Sequence, residues 1–265
     1  MGSRKSHWSE KVEMRRLREG RGSGDGKDYK PWITTHDFPS KGQVCRIKGL
    51  TSDRIHHLMS SLERDLFLIL DYDPEVTDIK EQYPLDLKET LLIAAGLGIK
   101  HPEANGWPNV MTTDFVYCRN KVWHAIAVKP SSELDNQRVA EKLDIERRYW
   151  EKAGIDWKAM TEKTINRTRA RNILWIIDGT PVEKLIPSAE FRTKLEDAFL
   201  ELYQDESIPF HDLLDGIEQE CSLPTGTALQ LFRHLVRTGR IDLDLDHRIC
   251  IDEPRRLSVE DYLDE

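Results

Sequence analysis

The chain has 265 residues, of which 38% are hydrophobic and 32% are charged, and its formal net charge is −8. A chain of this length can bury the core of one large domain or of two modest domains. No apolar run approaches a membrane span, and the first residues lack the apolar stretch of a signal peptide, so we expect a cytoplasmic protein. The four cysteines form no Cys-x-x-Cys pair, which argues against a zinc site or a disulfide framework.

The charge is distributed unevenly along the chain. The first fifty residues carry twelve Lys or Arg and six Asp or Glu, whereas the chain from Arg169 onward carries eleven and twenty-one. A basic N-terminal region can follow phosphates while an acidic C-terminal region contacts proteins. Ordinary fluctuation of surface charge explains the same numbers equally well, and the sequence leaves both interpretations open.

The first part of the chain is predicted to form two helices separated by a loop. Glu10–Gly26 begins as a basic helix and ends in a glycine-rich segment that superficially resembles a phosphate-binding loop. Because no strand precedes it and no Gly-Lys-Ser/Thr follows, we interpret it as a flexible turn. Residues 30–50 are punctuated by proline and glycine and are predicted to be loop with short strand pieces. Arg54–Leu70 has the apolar spacing of a helix, carries Glu63 and is followed by Pro74.

The middle of the chain alternates between the strand and helix patterns. Short β-rich runs bounded by turn residues predict strands, and longer charged segments with helical spacing predict helices. In chain order these are strand Val76–Tyr83, helix Lys88–Gly96, strands Val110–Cys118 and Val122–Val128, helix Gln137–Ala153 and strand Ile155–Met160. This order predicts an α/β domain over residues 1–166, with a mixed sheet flanked by helices.

Residues 167–265 are predicted to form a second, mainly helical domain. Helices are expected at Phe191–Tyr203, Pro209–Cys221 and Pro224–Arg237, and the short turn between the last two is typical of a helix-turn-helix. Arg240–Leu245 and Arg248–Ile251 are predicted to pair as a two-stranded wing. We therefore interpret this part as a winged-helix domain that mediates interactions.

Glu63, Asp114 and Lys129 form the most specific chemical pattern in the chain. A carboxylate on a helix, a carboxylate at a strand end and a lysine on the next strand are typical of metal-dependent nucleases of the restriction-endonuclease type. Carboxylate oxygens suit Mg²⁺, which can activate a water and neutralise charge on a phosphodiester. The lysine could orient that water or stabilise the transition state. On the residues alone, a structural ion pair between Asp114 and Lys129 is an equally good explanation.

Glu146 is a fourth candidate, on the helix that follows the lysine strand. It could act as a further ligand or support Lys129. The alternative, which we slightly favour, is that Glu146 is an exposed partner of Lys142 or Arg147. No histidine pair has the spacing of a zinc enzyme, so a histidine-based metal site is not expected.

Six sequence motifs occur together in this chain, in the order GRGSGDGKDYKPWIT, RIHHLMSSLERDLFLILDYDPEVTDIKEQYPL, IKHP, VMTTDF, AIAVKP and EKLDIERRYW. Together they resemble the TnsA family, the endonuclease subunits of heteromeric, target-selecting bacterial transposases. The resemblance covers roughly residues 10–165, and the C-terminal part is similar in architecture more than in its sequence motifs. The resemblance implies a restriction-endonuclease-like domain followed by a winged-helix domain, in a protein of the bacterial cytoplasm.

The resemblance also implies an activity and partners. These are Mg²⁺-dependent cutting of the 5′ strands at transposon ends, with Mn²⁺ able to substitute, beside a TnsB-type transposase that cuts the 3′ strands. A TnsC-type AAA+ ATPase is expected to contact the C-terminal domain, and no membrane is involved. By motif, Glu63, Asp114 and Lys129 correspond to catalytic residues, and Glu146 corresponds to a further functional acid.

One position departs from the nuclease pattern. Two residues before the lysine, where Glu or Gln usually binds the metal, this chain has Ala127. The metal is then expected to rely on Glu63, Asp114 and the backbone carbonyl of Val128. This departure leaves open a catalytically weak or inactive assembly subunit that bridges the transposase and the AAA+ regulator. A winged-helix DNA-binding regulator is a further alternative, with Pro224–Arg237 as its recognition helix.

Overall fold

The computed structural model describes residues 8–37 and 44–249, and these divide into two compact units between Arg167 and Thr168. The helices are α1 (Glu10–Arg18), α2 (Ser61–Tyr72), α3 (Leu87–Gly96), α4 (Gln137–Lys152), α5 (Arg167–Ile177), α6 (Val182–Leu185), α7 (Ala189–Gln204), α8 (Phe210–Glu220) and α9 (Thr227–Arg237). The strands are β1 (Cys45–Lys48), β2 (Ile55–Leu58), β3 (Val76–Pro84), β4 (Glu103–Ala104), β5 (Trp107–Pro108), β6 (Thr112–Arg119), β7 (Val122–Val128) and β8 (Asp156–Met160).

The first unit is built on a four-stranded mixed sheet with the order β3-β6-β7-β8. β6 pairs antiparallel with β3 on one side and with β7 on the other, whereas β7 and β8 run parallel. β6 and β7 are joined by Asn120 and Lys121, which both have positive φ angles, as a tight hairpin turn requires. The predicted mixed sheet and its short hairpin are therefore confirmed.

Consecutive strand residues point to opposite faces of the sheet, so this sheet has two apolar faces. Helices cover both of them. One core cluster joins Phe67 of α2 to Phe115 of β6, and both side chains are fully buried. The second cluster joins Val116 of β6 to Ile145 and Trp150 of α4. Burying each side chain of this size contributes about 1.5–3 kcal/mol. The predicted arrangement of a sheet between helices is confirmed.

The predicted helix Arg54–Leu70 is wrong over its first seven residues. Ile55–Leu58 forms β2, which pairs antiparallel with β1, and α2 begins only at Ser61. Ser60 ends the strand segment by capping the helix, since its side chain accepts a hydrogen bond from the Glu63 N–H. This cap places Glu63 in the first turn of α2.

The glycine-rich segment after α1 is packed against the sheet rather than loose. Gly22 has a φ of +79°, and a Cβ on this residue would lie 2.3 Å from Cγ of Pro84 at the end of β3. Its N–H donates to the Lys30 carbonyl at 2.6 Å. The interpretation of this segment as a flexible turn is therefore replaced by a close contact with the strand that approaches the candidate site.

The second unit is mainly helical, as the sequence predicts. Its core includes Phe199 of α7, Phe210 of α8 and Phe232 of α9, whose rings lie within 6.2 Å of one another in two of the three pairs. Of the predicted wing, residues 240–245 form no strand, and the predicted partner segment runs beyond the described residues at Cys250. Asn172 donates its side-chain N–H groups to the Leu245 and His247 carbonyls, which a strand partner would otherwise satisfy.

Among the described residues, no helix is both long enough and apolar enough to cross a membrane.

Candidate active site

Glu63 is held at the N-terminus of α2 by its own capping contacts. Its Oε1 accepts a hydrogen bond from the Ser60 hydroxyl at 3.0 Å, and its Oε2 accepts from the Met59 N–H at 3.0 Å. The side chain is 6% exposed. A carboxylate at this end of a helix is stabilised by the backbone N–H groups and the helix dipole. The carboxylate thus has a fixed direction before any ligand binds.

Asp114 lies in the middle of the sheet, where β6 is flanked by β3 and β7. Its Oδ2 accepts hydrogen bonds from the Val128 N–H at 2.7 Å and from Lys129 Nζ at 2.8 Å. Its Oδ1 accepts from the side chain of Gln82, at the end of β3, at 3.2 Å. Three neighbours therefore fix both carboxylate oxygens of Asp114.

Lys129 follows β7 directly and reaches back to the same carboxylate. Its ammonium donates to Asp114 Oδ2 and to the Val128 carbonyl, each at 2.8 Å. Burial disfavours the charge, but Asp114, Glu146 and Glu63 together outweigh burial, and the pKa of Lys129 is raised above its usual range. Lys129 is therefore a charged lysine, and 31% of its side chain remains open to solvent.

Gln82 links the two carboxylates, although no sequence pattern marks it as a site residue. Its Nε2 lies 3.3 Å from Glu63 Oε2 and 3.2 Å from Asp114 Oδ1. The residue is buried and has a φ of +49°, the left-handed region that few non-glycine residues adopt. The one signal in the sequence is a glutamine inside a predicted strand, directly before Tyr83 and Pro84.

The two carboxylates share an environment that disfavours a second negative charge. Burial, and then the charge of Asp114, raise the pKa of Glu63 to about 7. Contacts from Met59 and Ser60 oppose this rise but do not cancel it. A positive charge beside the two carboxylates would lower the pKa of Glu63 and favour its ionised form.

Glu146 lies behind this group, on α4. It is 5% exposed, and its Oε1 accepts hydrogen bonds from the Thr113 hydroxyl at 2.7 Å and from Trp157 Nε1 at 3.1 Å. Burial, followed by the charge of Asp114, raises the pKa of Glu146 to about 7. Because Glu146 is buried, the alternative that it is an exposed partner of Lys142 or Arg147 is wrong.

The donor atoms at this site suit Mg²⁺. Glu63 and Asp114 offer carboxylate oxygens within reach of a single atom, and Mg²⁺ is commonly bound by one or two carboxylates together with waters and substrate phosphates. Among residues 8–37 and 44–249, no group of three or more His, Cys, Asp or Glu side chains is arranged to hold a metal ion. On β7, Ala127 follows Ile126, which pairs with Phe115 of β6, so Ala127 lies beside Asp114. Its side chain has no oxygen to offer a metal.

The structure thus brings Glu63, Asp114 and Lys129 together. The Val128 carbonyl lies beside them as the acceptor of a Lys129 hydrogen bond. Glu146 does not join the group directly and contacts it through Thr113, the neighbour of Asp114.

Comparison with known proteins identifies a family that both units of the chain match. The family model described as "TnsA-like endonuclease N terminal" matches residues 73–162, and the one described as "TnsA endonuclease C terminal" matches residues 164–245. The chain is also 38% identical over 250 residues to the "Transposon Tn7 transposition protein TnsA" of Escherichia coli, covering 92% of this chain and 90% of that protein. The chain belongs to the TnsA endonuclease family.

Proposed function

We propose that this chain is a Mg²⁺-dependent DNA endonuclease that cuts the 5′ strands at transposon ends inside a transposase complex. The family supports the endonuclease activity, and the relative from Escherichia coli is named as a transposition protein. The observation that carries the proposal is that Glu63, Asp114 and Lys129 lie together. Gln82 bridges the two carboxylates, and Lys129 donates a hydrogen bond to Asp114. A structural ion pair between Asp114 and Lys129 would not require the Glu63 carboxylate to lie beside the same Gln82 nitrogen as Asp114.

Glu63 and Asp114 are the residues that would hold the metal ion, with the Val128 carbonyl nearby as a further oxygen. When bound, Mg²⁺ would make a water nucleophilic and neutralise charge on the phosphate, and Mn²⁺ would substitute for it. The capping contacts of Glu63 and the three donors to Asp114 hold these oxygens in place before substrate binds. Such prior positioning reduces the cost of reorganising the site during the reaction.

Lys129 would act on the phosphate or on the attacking water. An ammonium group has three N–H donors, and in the described chain two of them are used by Asp114 and the Val128 carbonyl. The third can therefore donate to an oxygen of the substrate. Because Asp114 keeps the lysine charged, the group stabilises negative charge rather than accepting a proton.

Glu146 would act through its neighbours as a positioning residue. Its hydrogen bond to Thr113 ties α4 to the part of β6 that carries Asp114. Trp150 Nε1 also donates to the Thr113 hydroxyl, at 2.7 Å. This buried chain of contacts fixes the backbone beside the catalytic carboxylate.

The partners follow from the same proposal. A TnsB-type transposase would cut the 3′ strands and a TnsC-type AAA+ ATPase would contact the C-terminal unit. Transposon-end DNA would be the substrate. Supporting this, the chain from Arg169 onward is acidic, which suits contact with a protein better than with a phosphate backbone.

The proposal is tested by strand-resolved cleavage of transposon-end DNA in the presence of the partner transposase. With Mg²⁺ the wild-type chain should cut the 5′ strands, and chelation with EDTA should abolish this cut. Glu63→Gln should lose it as well, whereas Glu133→Gln, which changes an exposed glutamate, should cut normally. Persistent 5′-strand cutting by Glu63→Gln at the wild-type rate would contradict the assignment.

A non-catalytic assembly subunit is the second candidate, and Ala127 is the observation that favours it. Without a side-chain oxygen at this position, the metal would depend on Glu63, Asp114 and the Val128 carbonyl. Crystals of the chain soaked in Mn²⁺ distinguish the two functions. Anomalous density between Glu63 and Asp114 counts against a non-catalytic subunit, and its absence at a saturating concentration favours that candidate.

A further inference from the structure

Gln82 has a backbone conformation that its surroundings impose. It lies near the end of β3, and its φ of +49° is disfavoured for a residue with a Cβ. Its carbonyl accepts a hydrogen bond from the Trp32 N–H at 3.2 Å, and the residue is 4% exposed. Residues in such conformations persist where the surrounding contacts determine them, and they are concentrated at functional sites.

This conformation aims the side-chain amide at the two carboxylates. Nε2 of Gln82 donates to Glu63 Oε2 and to Asp114 Oδ1, while its Oε1 accepts from the Thr112 hydroxyl at 3.1 Å. Ionised carboxylates only accept hydrogen bonds, so they fix the amide nitrogen toward themselves. The end of the amide therefore lies directly beside the space between Glu63 and Asp114, which a cation shared by them would occupy.

A divalent cation at this position would reverse the preferred orientation of the amide. The positive charge would repel the N–H group of Gln82 and attract its carbonyl oxygen. A half-turn about the Cγ–Cδ bond exchanges the two atoms without moving the backbone. The hydroxyl of Thr112 can donate or accept, so it has a partner in both orientations.

Gln82 and Ala127 occupy equivalent places on either side of Asp114. In the antiparallel register Glu81 pairs with Phe115 and Tyr83 pairs with Thr113, so Gln82 lies across from Asp114 on β3. Phe115 pairs with Ile126, so Ala127 lies across from Asp114 on β7. A side-chain oxygen that is missing on one flanking strand is thus available on the other.

We propose that Gln82 is a metal ligand of this site, and that its side-chain oxygen supplies the ligand missing at Ala127. This inference rests on the proposed metal-dependent function. If Gln82 were only a brace between the carboxylates, its removal would open the site to the cation and leave the affinity unchanged or increase it. A ligand has the opposite effect, because its removal weakens binding.

The test is Mn²⁺ binding to the full chain, measured from the electron paramagnetic resonance signal of free Mn²⁺ without DNA. Gln82→Met has a similar length but no hard oxygen, and it should weaken binding by about tenfold or more. Gln82→Asn keeps the amide but withdraws its oxygen, and it should also weaken binding. Gln82→Glu should bind at least as tightly as wild type. Gln137→Met, at an exposed glutamine, is the matched control and should bind normally.

The outcomes separate this inference from the proposed function. If wild type and Gln137→Met bind Mn²⁺ and Gln82→Met binds within twofold of them or more tightly, Gln82 is not a ligand and the metal-dependent function stands. If neither wild type nor the control binds Mn²⁺, the metal-dependent function itself is overturned together with the inference. Circular dichroism identifies a variant that fails to fold, and Gln82→Asn then decides the matter in place of Gln82→Met.

Discussion

Glu63 combines a structural and a proposed chemical role in one side chain. Its carboxylate accepts hydrogen bonds from Ser60 and Met59, which anchors the first turn of α2. One of these oxygens, Oε2, also accepts a hydrogen bond from Gln82, which in turn donates to Asp114. The raised pKa of Glu63 reflects burial first and the charge of Asp114 second. A residue whose charge is costly in the folded protein is typical of a functional site.

The Thr113 hydroxyl is expected to be important for stability. Thr113→Val keeps the shape of the residue but removes the donor to Glu146 and the acceptor of the Trp150 N–H. Leaving such buried groups without a partner should lower the free energy of unfolding by about 1–3 kcal/mol. Urea denaturation measures this change. Thr77→Val, at an exposed threonine of β3, should change it by less than about 0.5 kcal/mol, and equal effects of the two variants would refute the argument.

At the residue scale, the sequence predicts the acidic and basic members of the site but not its amide. A carboxylate or a lysine inside an apolar strand is conspicuous because burying its charge is costly without a partner. Gln82 is neutral, and its role depends on a left-handed backbone conformation that strand alternation does not reveal. The burial of Glu146 also depends on Thr113 and Trp157, which are far from it in the sequence.

At the scale of single elements, the largest error concerns the start of α2. The apolar residues of Arg54–Leu70 fit helical spacing, yet Ile55 is 54% exposed and belongs to β2. Ser60 and Glu63 have the spacing of a capping box directly before an apolar run, and this pattern indicates the observed start of the helix. Periodicity alone does not locate a boundary, whereas a capping residue does.

The first predicted strand of the wing, Arg240–Leu245, is wrong for a different physical reason. Ile241, Leu243 and Leu245 alternate with charged residues, which is the pattern of a strand. A strand also needs a neighbour for its backbone groups, and here the side chain of Asn172 binds the Leu245 carbonyl. A side chain from α5 thus takes the place of a ladder partner at this point, and no sequence pattern indicates that substitution.

The contact between the glycine-rich segment and β3 can be separated from ordinary backbone strain by two substitutions. Gly22 and Gly98 both have positive φ, but only a Cβ on Gly22 would meet another residue, Pro84, within 4 Å. Gly98→Ala should cost about 1–2 kcal/mol of unfolding free energy from backbone strain alone. Gly22→Ala should cost at least about 1 kcal/mol more, since its Cβ overlaps Pro84.

Chemical denaturation of both glycine variants provides the measurement. Equal decreases in unfolding free energy would mean that Pro84 moves aside freely, and the segment would then be loosely attached to β3.

At the scale of the whole molecule, the third candidate function, a winged-helix DNA-binding regulator, has little support from α9. Arg233 donates to the Asp178 carbonyl at 2.9 Å, and its guanidinium lies 4.2 Å from the centre of the Trp175 ring. His234 lies 3.5 Å from Glu196. Two of the three basic residues of this helix are thus engaged within their own unit, which leaves Arg237.

DNA binding should therefore depend on the N-terminal basic region more than on the C-terminal unit. The double variant Lys11→Ala, Arg18→Ala removes two exposed cations of α1. It should weaken duplex binding and reduce the slope of log affinity against log salt by about 1 for each phosphate that is no longer neutralised. Fluorescence anisotropy over a salt series measures both quantities.

The matched control for this prediction is Arg171→Ala, Arg237→Ala, which removes two exposed cations of the second unit. It lowers the net charge equally and should leave the salt slope unchanged. A larger decrease of DNA affinity in this control than in the N-terminal variant would favour the DNA-binding regulator.

The rate of 5′-strand cutting by Asp114→Asn, in the presence of the partner transposase and Mg²⁺, tests the proposed nuclease site most sharply. Asparagine keeps the size of the side chain but removes its charge, and Asp135→Asn at an exposed aspartate is the control. We expect Asp114→Asn to cut the 5′ strands at least about 100-fold more slowly, with 3′-strand cutting by the transposase intact. Cutting of the 5′ strands within twofold of the wild-type rate would contradict the assignment of this site.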